Sequence, residues 1–176
     1  MHVDNDPVDT SAYIPTREPA FTETGQIGIV VRDLDATLRR YVDDFGIGPW
    51  QIFEVGPDNA PDLRHEGEPI RGATRSAVAM VGSVMWEVSQ PLDEHGIFAR
   101  FLREKGEGVH HIAVATPNFK GLIEEQQRRG RTLPLSGSFT GVDVAYLPTD
   151  RDLGVLIEIF KGMPGDGSEP DEREND

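Results

Sequence analysis

An internal repeat constrains the fold of this chain more than any other feature of its sequence. The run QIGIVV, which begins at Gln26, places Gln26 and Gly28 on one face of a strand and bulky residues on the other. The run HHIAVA, which begins at His110, places His111 and two alanines on one face and isoleucine and valine on the other. Because side chains alternate along a strand, the two histidines are expected not to enter the same site. Helix-like and strand-like segments follow each run, and a period of roughly 70 to 85 residues indicates a duplicated module of one domain.

Each module also contains an apolar strand with a single glutamate, VMWEVS around Glu87 and VLIEIF around Glu158. Superposing the modules equates Gln26 with His111 (111 − 26 = 85) and Glu87 with Glu158 (158 − 87 = 71). The equivalent positions occur in the same order in both modules. The two offsets differ, which indicates that a loop is shorter in the second module. A buried, unpaired carboxylate would cost several kcal/mol, so glutamates within such strands indicate either a site or a solvated face. These four residues are therefore the main candidates for a functional site.

Bulk properties exclude several classes of function. A length of 176 residues suits one domain, or two small modules with a shared core. The net charge of −14 argues against nucleic-acid binding, and the lack of cysteine excludes disulfides and thiolate chemistry. No apolar run approaches the roughly 18 residues of a membrane span, and the N-terminus lacks a signal-peptide pattern. These features predict a cytoplasmic protein that does not bind membranes.

The order of the segments predicts an α+β fold of two tandem βαβββ modules. Five regions follow from the sequence: a flexible arm (1–23), a first module (24–92), a linker helix (93–107), a second module (108–162) and a disordered acidic tail (163–176). Asp33 and Asn118 are the expected N-caps of the two module helices. The first module contains a long irregular loop at 56–72, and the second is expected to have a strand at 132–135. The small-residue faces should line an open cup, with helices covering the bulky faces.

The segments QIGIVVRDLDATLRRYVDDFGIG, GEGVHHIAVATPN and GVLIEIF resemble the vicinal oxygen chelate (glyoxalase/bleomycin-resistance/dioxygenase) superfamily over about residues 24–161, and methylmalonyl-CoA epimerases most of all. The resemblance implies one divalent metal in the cup (Co, Ni, Mn, Zn or Mg), held by Gln26, Glu87, His111 and Glu158. Epimerases usually have histidine at the position of Gln26. A Gln, Glu, His, Glu set instead resembles that of eukaryotic glyoxalase I.

The expected activity is that of a metal-dependent isomerase or epimerase, which abstracts a proton next to a carbonyl through a metal-stabilised enolate. An acyl-CoA is one candidate substrate. Epimerisation needs two proton-transfer groups, one on each side of the acidic carbon. Glu158 and Glu87 are candidates, as are Glu54 and Glu66 outside the metal set.

Two alternatives remain open from the sequence. One is a glyoxalase-type lyase or an isomerase of secondary metabolism, which the Gln26 position favours. The other is a non-catalytic, resistance-type protein that binds a small molecule. The partner in each case is a small molecule, and a homodimer is also expected because superfamily members are often dimers. Some members build the cup from two chains.

Overall fold

The computed structural model describes residues 13–162; the predicted acidic tail and residues 1–12 of the predicted arm lie outside this range. The first half of the described chain contains β1 (Glu23–Val30), α1 (Leu34–Phe45), β2 (Gln51–Val55), β3 (Arg64–His65), β4 (Glu68–Pro69), β5 (Thr74–Val81) and β6 (Val84–Pro91). The second half contains α2 (Gly96–Glu104), β7 (Gly108–Ala115), α3 (Phe119–Arg128), β8 (Leu135–Phe139), β9 (Val142–Leu147), α4 (Asp150–Leu153) and β10 (Leu156–Lys161).

The strands form one mixed sheet in the order β2-β5-β6-β1-β7-β10-β9-β8-β3-β4. The two modules meet where β1 pairs antiparallel with β7. On the outer side of this seam, β1 pairs parallel with β6 and β7 pairs parallel with β10. The same order of strands therefore occurs in both halves. Phe53 of β2 stacks on Phe139 of β8 with ring centroids 6.4 Å apart, so the far strands of the two modules approach each other. The sheet curls into a half-barrel, as the repeat predicts.

The helix α1 covers the bulky face of the first module. The side chain of Asp33 accepts a hydrogen bond from the backbone N–H of Ala36 at 2.9 Å, which confirms the predicted cap. Gly46 ends the helix in the left-handed conformation, with φ of 65°. Leu34 and Leu38 pack in a buried cluster on the sheet. The opposite, small-residue face is left to line the cup.

The helix α3 covers the second module in the same way. Phe119 and Leu122 pack against Val114 and Ile159 of the sheet. Asn118 is the N-cap residue, but its side chain makes no capping hydrogen bond. The described helices include none that is long and apolar enough to cross a membrane.

Two segments differ from the sequence-based expectations. The 56–72 loop contains the short strands β3 and β4, and β3 pairs with β8 of the other module. This pairing extends the sheet beyond the strands of the repeat. The sequence does not predict the extension, because strands of two residues show no hydrophobic periodicity. The strand expected at 132–135 lies instead at Leu135–Phe139. Its composition, LSGSF, has little intrinsic preference for strand and is held by pairing with β9 and β3.

The described part of the N-terminal arm is attached to the end of β7. The Thr116 hydroxyl donates to the carbonyl of Ala20 at 2.8 Å, and the backbone N–H of Thr22 donates to the carbonyl of Ala115 at 3.0 Å. Residues 20–22 are therefore held against the sheet, although they were expected to belong to a loose arm.

Candidate active site

The four symmetry-related residues meet at the centre of the sheet. Gln26 lies on β1, Glu87 on β6, His111 on β7 and Glu158 on β10, which are four adjacent strands. His111 Nε2 lies 3.4 Å from Glu87 Oε2, 3.1 Å from Glu158 Oε2 and 3.2 Å from Gln26 Nε2. The Gln26 amide also donates to Glu87 Oε2 at 2.7 Å. The cluster is thus complete within one chain.

Gly28 leaves the space that the His111 ring occupies. In the ladders of the sheet Gly28 lies opposite Glu87 on one side and opposite His111 on the other. A Cβ atom added at Gly28 would lie 1.8 Å from His111 Cε1 and 2.3 Å from Nε2. Since no side chain larger than hydrogen fits there, the small face seen in the sequence is needed to place the imidazole.

A β-bulge brings the ring of the second histidine into contact with the first. The β1–β7 register passes from Gly28↔His111 to Ile29↔Val109, so His110 has no partner on β1. Its Nδ1 lies 3.0 Å from the Nδ1 of His111, and the ring is buried. His110 lines a separate small cavity and not the one lined by Glu87 and Glu158, so the two rings touch although the histidines do not face the same cavity. The bulge depends on the register with β1, which the sequence of β7 alone does not specify.

The two histidines differ in protonation. Burial, followed by the neighbouring His111, lowers the pKa of His110 to about 2, so this ring is neutral. Burial also acts to lower the pKa of His111, but the carboxylates of Glu158 and Glu87 outweigh it and raise the pKa to about 9. Neutral His110 can accept the Nδ1–H of His111. That contact orients the ring and turns its Nε2 toward the carboxylates.

Glu158 combines a buried carboxylate with an oxygen that has no hydrogen bond. Its Oε2 is at ion-pair distance from His111, but no hydrogen bond of acceptable geometry reaches it. Tyr146 lies opposite Glu158 in the β9–β10 ladder and is itself buried, so its phenol is placed beside the carboxylate. Burial, followed by the charges of Glu158 and Glu87, raises the pKa of Tyr146 well above its usual value. The phenol therefore stays protonated as a donor.

Tyr146 is not among the site residues predicted from the sequence, because the run VDVAYL is typical of an ordinary core strand. The signal that would have found it is its register, since the two final strands of the module place it directly opposite Glu158.

The donor atoms of the cluster suit a divalent cation, although they contact one another here. Within residues 13–162 no group of three or more His, Cys, Asp or Glu side chains is already arranged as a metal site. Adjacent ligands of a six-coordinate ion with bonds of about 2.1 Å lie about 3 Å apart, which matches the contacts around His111 Nε2. A half-turn of the Gln26 amide would present its oxygen in place of its nitrogen. The set therefore fits such an ion, because it offers two carboxylates, an imidazole and an amide oxygen. One of the carboxylate oxygens, Glu158 Oε2, has no hydrogen bond.

The cluster forms one wall of a cavity of about 330 Å³ between the two modules. Most of the remaining wall is apolar and includes Phe53, Val55 and Phe139. Glu54 lies between two of these residues on β2, but it is exposed and points away from the cavity. Alternation along the strand explains this position.

Glu66 also lies outside this cavity. It lines a neighbouring cleft and forms an ion pair with Arg100 at 2.8 Å, and the arginine lowers its pKa. Of the four glutamates considered as proton-transfer groups, the structure therefore brings only Glu87 and Glu158 to the cavity wall.

Comparison with known families assigns the fold. Residues 25–146 match the sequence profile of the Glyoxalase/Bleomycin resistance protein/Dioxygenase superfamily. The chain belongs to this superfamily. The match covers the first module, the larger part of the second and three of the four residues of the cluster, which confirms the family suggested by the sequence.

Several solved structures resemble this chain. Methylmalonyl-CoA epimerase from Streptomyces coelicolor, bound to 2-nitronate-propionyl-CoA, is 23% identical with a TM-score of 0.60, and the alignment covers 80% of this chain and 94% of the epimerase. The epimerase from Mycobacterium tuberculosis is 21% identical with a TM-score of 0.60, over 87% and 96% of the two chains. A hypothetical protein from Bacillus halodurans is 23% identical with a TM-score of 0.57, over 84% and 98%. At this level of identity the similarity shows a shared fold. No curated protein matches the chain.

Proposed function

We propose that this protein is a divalent-metal-dependent isomerase or epimerase that removes a proton next to a carbonyl group. Gln26, Glu87, His111 and Glu158 would hold the cation. The observation that carries the proposal is the convergence of these four side chains beside an apolar cavity, whose wall includes Gln26, Glu87 and Glu158, with the buried His111 ring behind them.

The cation, when bound, supplies Lewis-acid stabilisation of the negative charge that develops on the carbonyl oxygen. The chain supplies the remaining chemistry. Glu158 takes the carbon-bound proton on its carboxylate, beside which Tyr146 packs in the β9–β10 ladder. His110 keeps the His111 ring in position through the contact between their Nδ1 atoms. The apolar wall excludes water from the carbanion that results.

Return of the proton to the opposite face of the carbon requires a second group. Glu87 lies on the wall of the first module, whereas Glu158 lies on that of the second, and both approach the same nitrogen of His111. We therefore assign the two proton transfers to Glu158 and Glu87. The exposed positions of Glu54 and Glu66 weigh against a role for either of them.

Acyl-CoA thioesters are the first substrate class to test. Two of the similar solved structures are methylmalonyl-CoA epimerases bound to 2-nitronate-propionyl-CoA or to methylmalonyl-CoA. An acyl group next to the thioester carbonyl carries the kind of proton that the proposed chemistry removes.

The test is solvent deuterium exchange into methylmalonyl-CoA and other acyl-CoA thioesters, measured by mass spectrometry on protein reconstituted with Co, Ni or Mn. The proposal predicts exchange that needs the metal and falls by at least about a hundredfold in Glu158→Gln. Glu54→Gln and Glu66→Gln are matched controls and should retain the parent rate. Equal loss in these controls, or full exchange in Glu158→Gln, would contradict the assignment of the base.

The second candidate is a non-catalytic protein that binds a small apolar compound. The apolar wall of the cavity favours this candidate because it suits binding whether or not chemistry follows. Titration of the metal-free protein separates the two functions. Tight metal-free binding without exchange in any metal-loaded sample would support the binding protein.

A further inference from the structure

The wall of the cavity carries one positive charge that has no partner. Apart from histidines, the side chains of the wall that are charged at pH 7 are Glu87, Glu158 and Arg71. The two glutamates are engaged in the cluster around His111. Arg71 is exposed and makes no hydrogen bond or ion pair with any other part of residues 13–162. Its guanidinium group is therefore available to a molecule that enters the cavity.

The other arginines of the same segment, residues 64–75, are already engaged. Arg64 donates to two backbone carbonyls of its own loop at 2.6 and 3.0 Å. Arg75 pairs with Asp35 of helix α1 at 3.0 Å. Within this segment, only Arg71 keeps all of its donors for a ligand.

The backbone next to Arg71 is fixed against the loop that precedes α2. A Cβ atom added at Gly72 would lie 2.6 Å from Asp93 Oδ1 and 2.9 Å from the carbonyl oxygen of His95, so the two segments are in close contact. The N–H groups of Ala73 and His95 donate to the Asp93 carboxylate at 2.8 and 2.7 Å. The backbone thus engages this carboxylate, which does not pair with Arg71. The arginine extends from a well-held backbone at the edge of the cavity.

Arg71 lies where the cavity meets the neighbouring cleft. The residues that line both are His65, Arg71, His95 and Gly96. At about 330 Å³ the cavity is near the lower end of the usual size of ligand sites, about 300 to 1,000 Å³. It suits the acyl group of a thioester and not a whole coenzyme A. The junction with the cleft gives the remainder of such a substrate a path that passes Arg71.

The balance of charge favours an anion at this junction rather than deep in the cleft. The cleft is lined by three glutamates and three arginines, whose charges cancel: Glu66, Glu68, Glu94, Arg71, Arg100 and Arg103. In the cavity, a divalent cation at the cluster would offset the charges of Glu87 and Glu158. Arg71 would then leave the cavity wall with one positive charge, although the whole chain carries −14.

We propose that Arg71 binds an anionic group of the substrate, a carboxylate or a phosphate, while the carbonyl group lies at the Gln26–Glu87–His111–Glu158 cluster. Guanidinium groups bind either anion through two parallel hydrogen bonds. Arg71 is therefore a specificity-determining residue that selects anionic substrates at the mouth of the cavity. The inference rests on the proposed function for the placement of the carbonyl end.

Four thioesters separate the two sources of the anion. Methylmalonyl-CoA carries a carboxylate and phosphates, propionyl-CoA only phosphates, methylmalonyl-pantetheine only a carboxylate, and propionyl-pantetheine neither. Calorimetry measures the Kd of each for the parent protein, for Arg71→Gln and for Arg151→Gln, with and without Co²⁺. Arg151 is the matched control because it is exposed, has no partner within the described residues and lines neither the cavity nor the cleft. Both variants should keep the Tm of the parent, since both side chains are exposed.

Arg71→Gln should weaken the binding of the compounds that carry the recognised anion by about tenfold, as loss of a hydrogen bond to a charged group does. Its affinity for propionyl-pantetheine should equal that of the parent. A loss confined to the two CoA thioesters identifies a phosphate, and a loss confined to the two methylmalonyl compounds identifies the carboxylate. Arg151→Gln should bind all four compounds as the parent does.

Four results would overturn the inference: parent-like affinity of Arg71→Gln for every compound, an equal loss for propionyl-pantetheine, an equal loss in Arg151→Gln, or no binding of any charged compound to the parent at millimolar concentration. The proposed function can fail separately, through absence of metal-dependent proton exchange. In that case the difference in Kd between the parent and Arg71→Gln would still be measured without Co²⁺.

Discussion

Gly28→Ala is the substitution that should damage the site most while changing the chain least. The added methyl carbon would lie 1.8 Å from Cε1, 2.2 Å from Nδ1 and 2.3 Å from Nε2 of His111. All three contacts are far inside van der Waals distance, and the residue they involve is fully buried. The imidazole must therefore move, and its contacts with Glu87, Glu158 and His110 must change with it.

The free energy of unfolding should fall by about 1 to 3 kcal/mol, which is the usual cost of overpacking a tight interior. For a domain of this size that range corresponds to a fall in Tm of roughly 2 to 12 °C. Displacement of one ligand should also weaken metal binding by about tenfold to a hundredfold, as loss of ligand positioning does at other metal sites.

Differential scanning calorimetry and titration with Co²⁺ measure both effects. Gly56→Ala serves as the control for an added methyl, because its tight contact of 3.2 Å with Ala73 Cβ is relieved by a shift of a few tenths of an ångström and involves no residue of the cluster. Parent-like Tm and parent-like metal affinity in Gly28→Ala would refute the argument that the His111 ring depends on the space above Gly28.

The remaining predictions concern protonation and the support of Glu158. Metal binding at pH 7 should release close to one proton per chain, because His111 has a pKa of about 9 and must lose its Nε2 proton; calorimetry in two buffers of different ionisation enthalpy counts that proton. The raised pKa stabilises the metal-free fold fully below about pH 6.5. This stabilisation is lost as the pH rises through about 9, so the Tm of the metal-free parent should fall over this range more than that of His111→Gln. Tyr146→Phe should lower kcat by about tenfold with little change in KM, since the phenol lies beside the Glu158 carboxylate in the β9–β10 ladder; a change in KM alone would argue against support of that carboxylate by Tyr146.

The repeat made most of the fold and the central cluster predictable from the sequence. Each pair of equivalent positions, Gln26 with His111 and Glu87 with Glu158, lies in a strand whose alternation can be read directly. Because the two modules pair through their first strands, equivalent positions come together at the seam. Neither half on its own would have identified a site.

The parts that could not be predicted depend on pairing between distant strands. The bulge at His110 is a property of the β1–β7 register, and the positions of Tyr146 beside Glu158 and of His65 opposite Leu135 depend on the β9–β10 and β3–β8 ladders. The strand β3 has only two residues and no periodicity of its own, and it is held by pairing with β4 and β8. The sequence of a single strand does not determine which residues of a distant strand lie opposite it.

The most direct test of the account is the metal content of the protein purified without chelators and after reconstitution, measured by mass spectrometry under non-denaturing conditions. His111→Ala and Glu158→Ala remove proposed ligands, whereas Ser76→Ala changes the cavity wall and leaves the cluster intact. The account predicts one divalent ion per chain in the parent and in Ser76→Ala, and its loss in the two ligand variants. Absence of bound metal in the parent after reconstitution with Co, Ni, Mn, Zn and Mg would contradict metal-dependent proton abstraction.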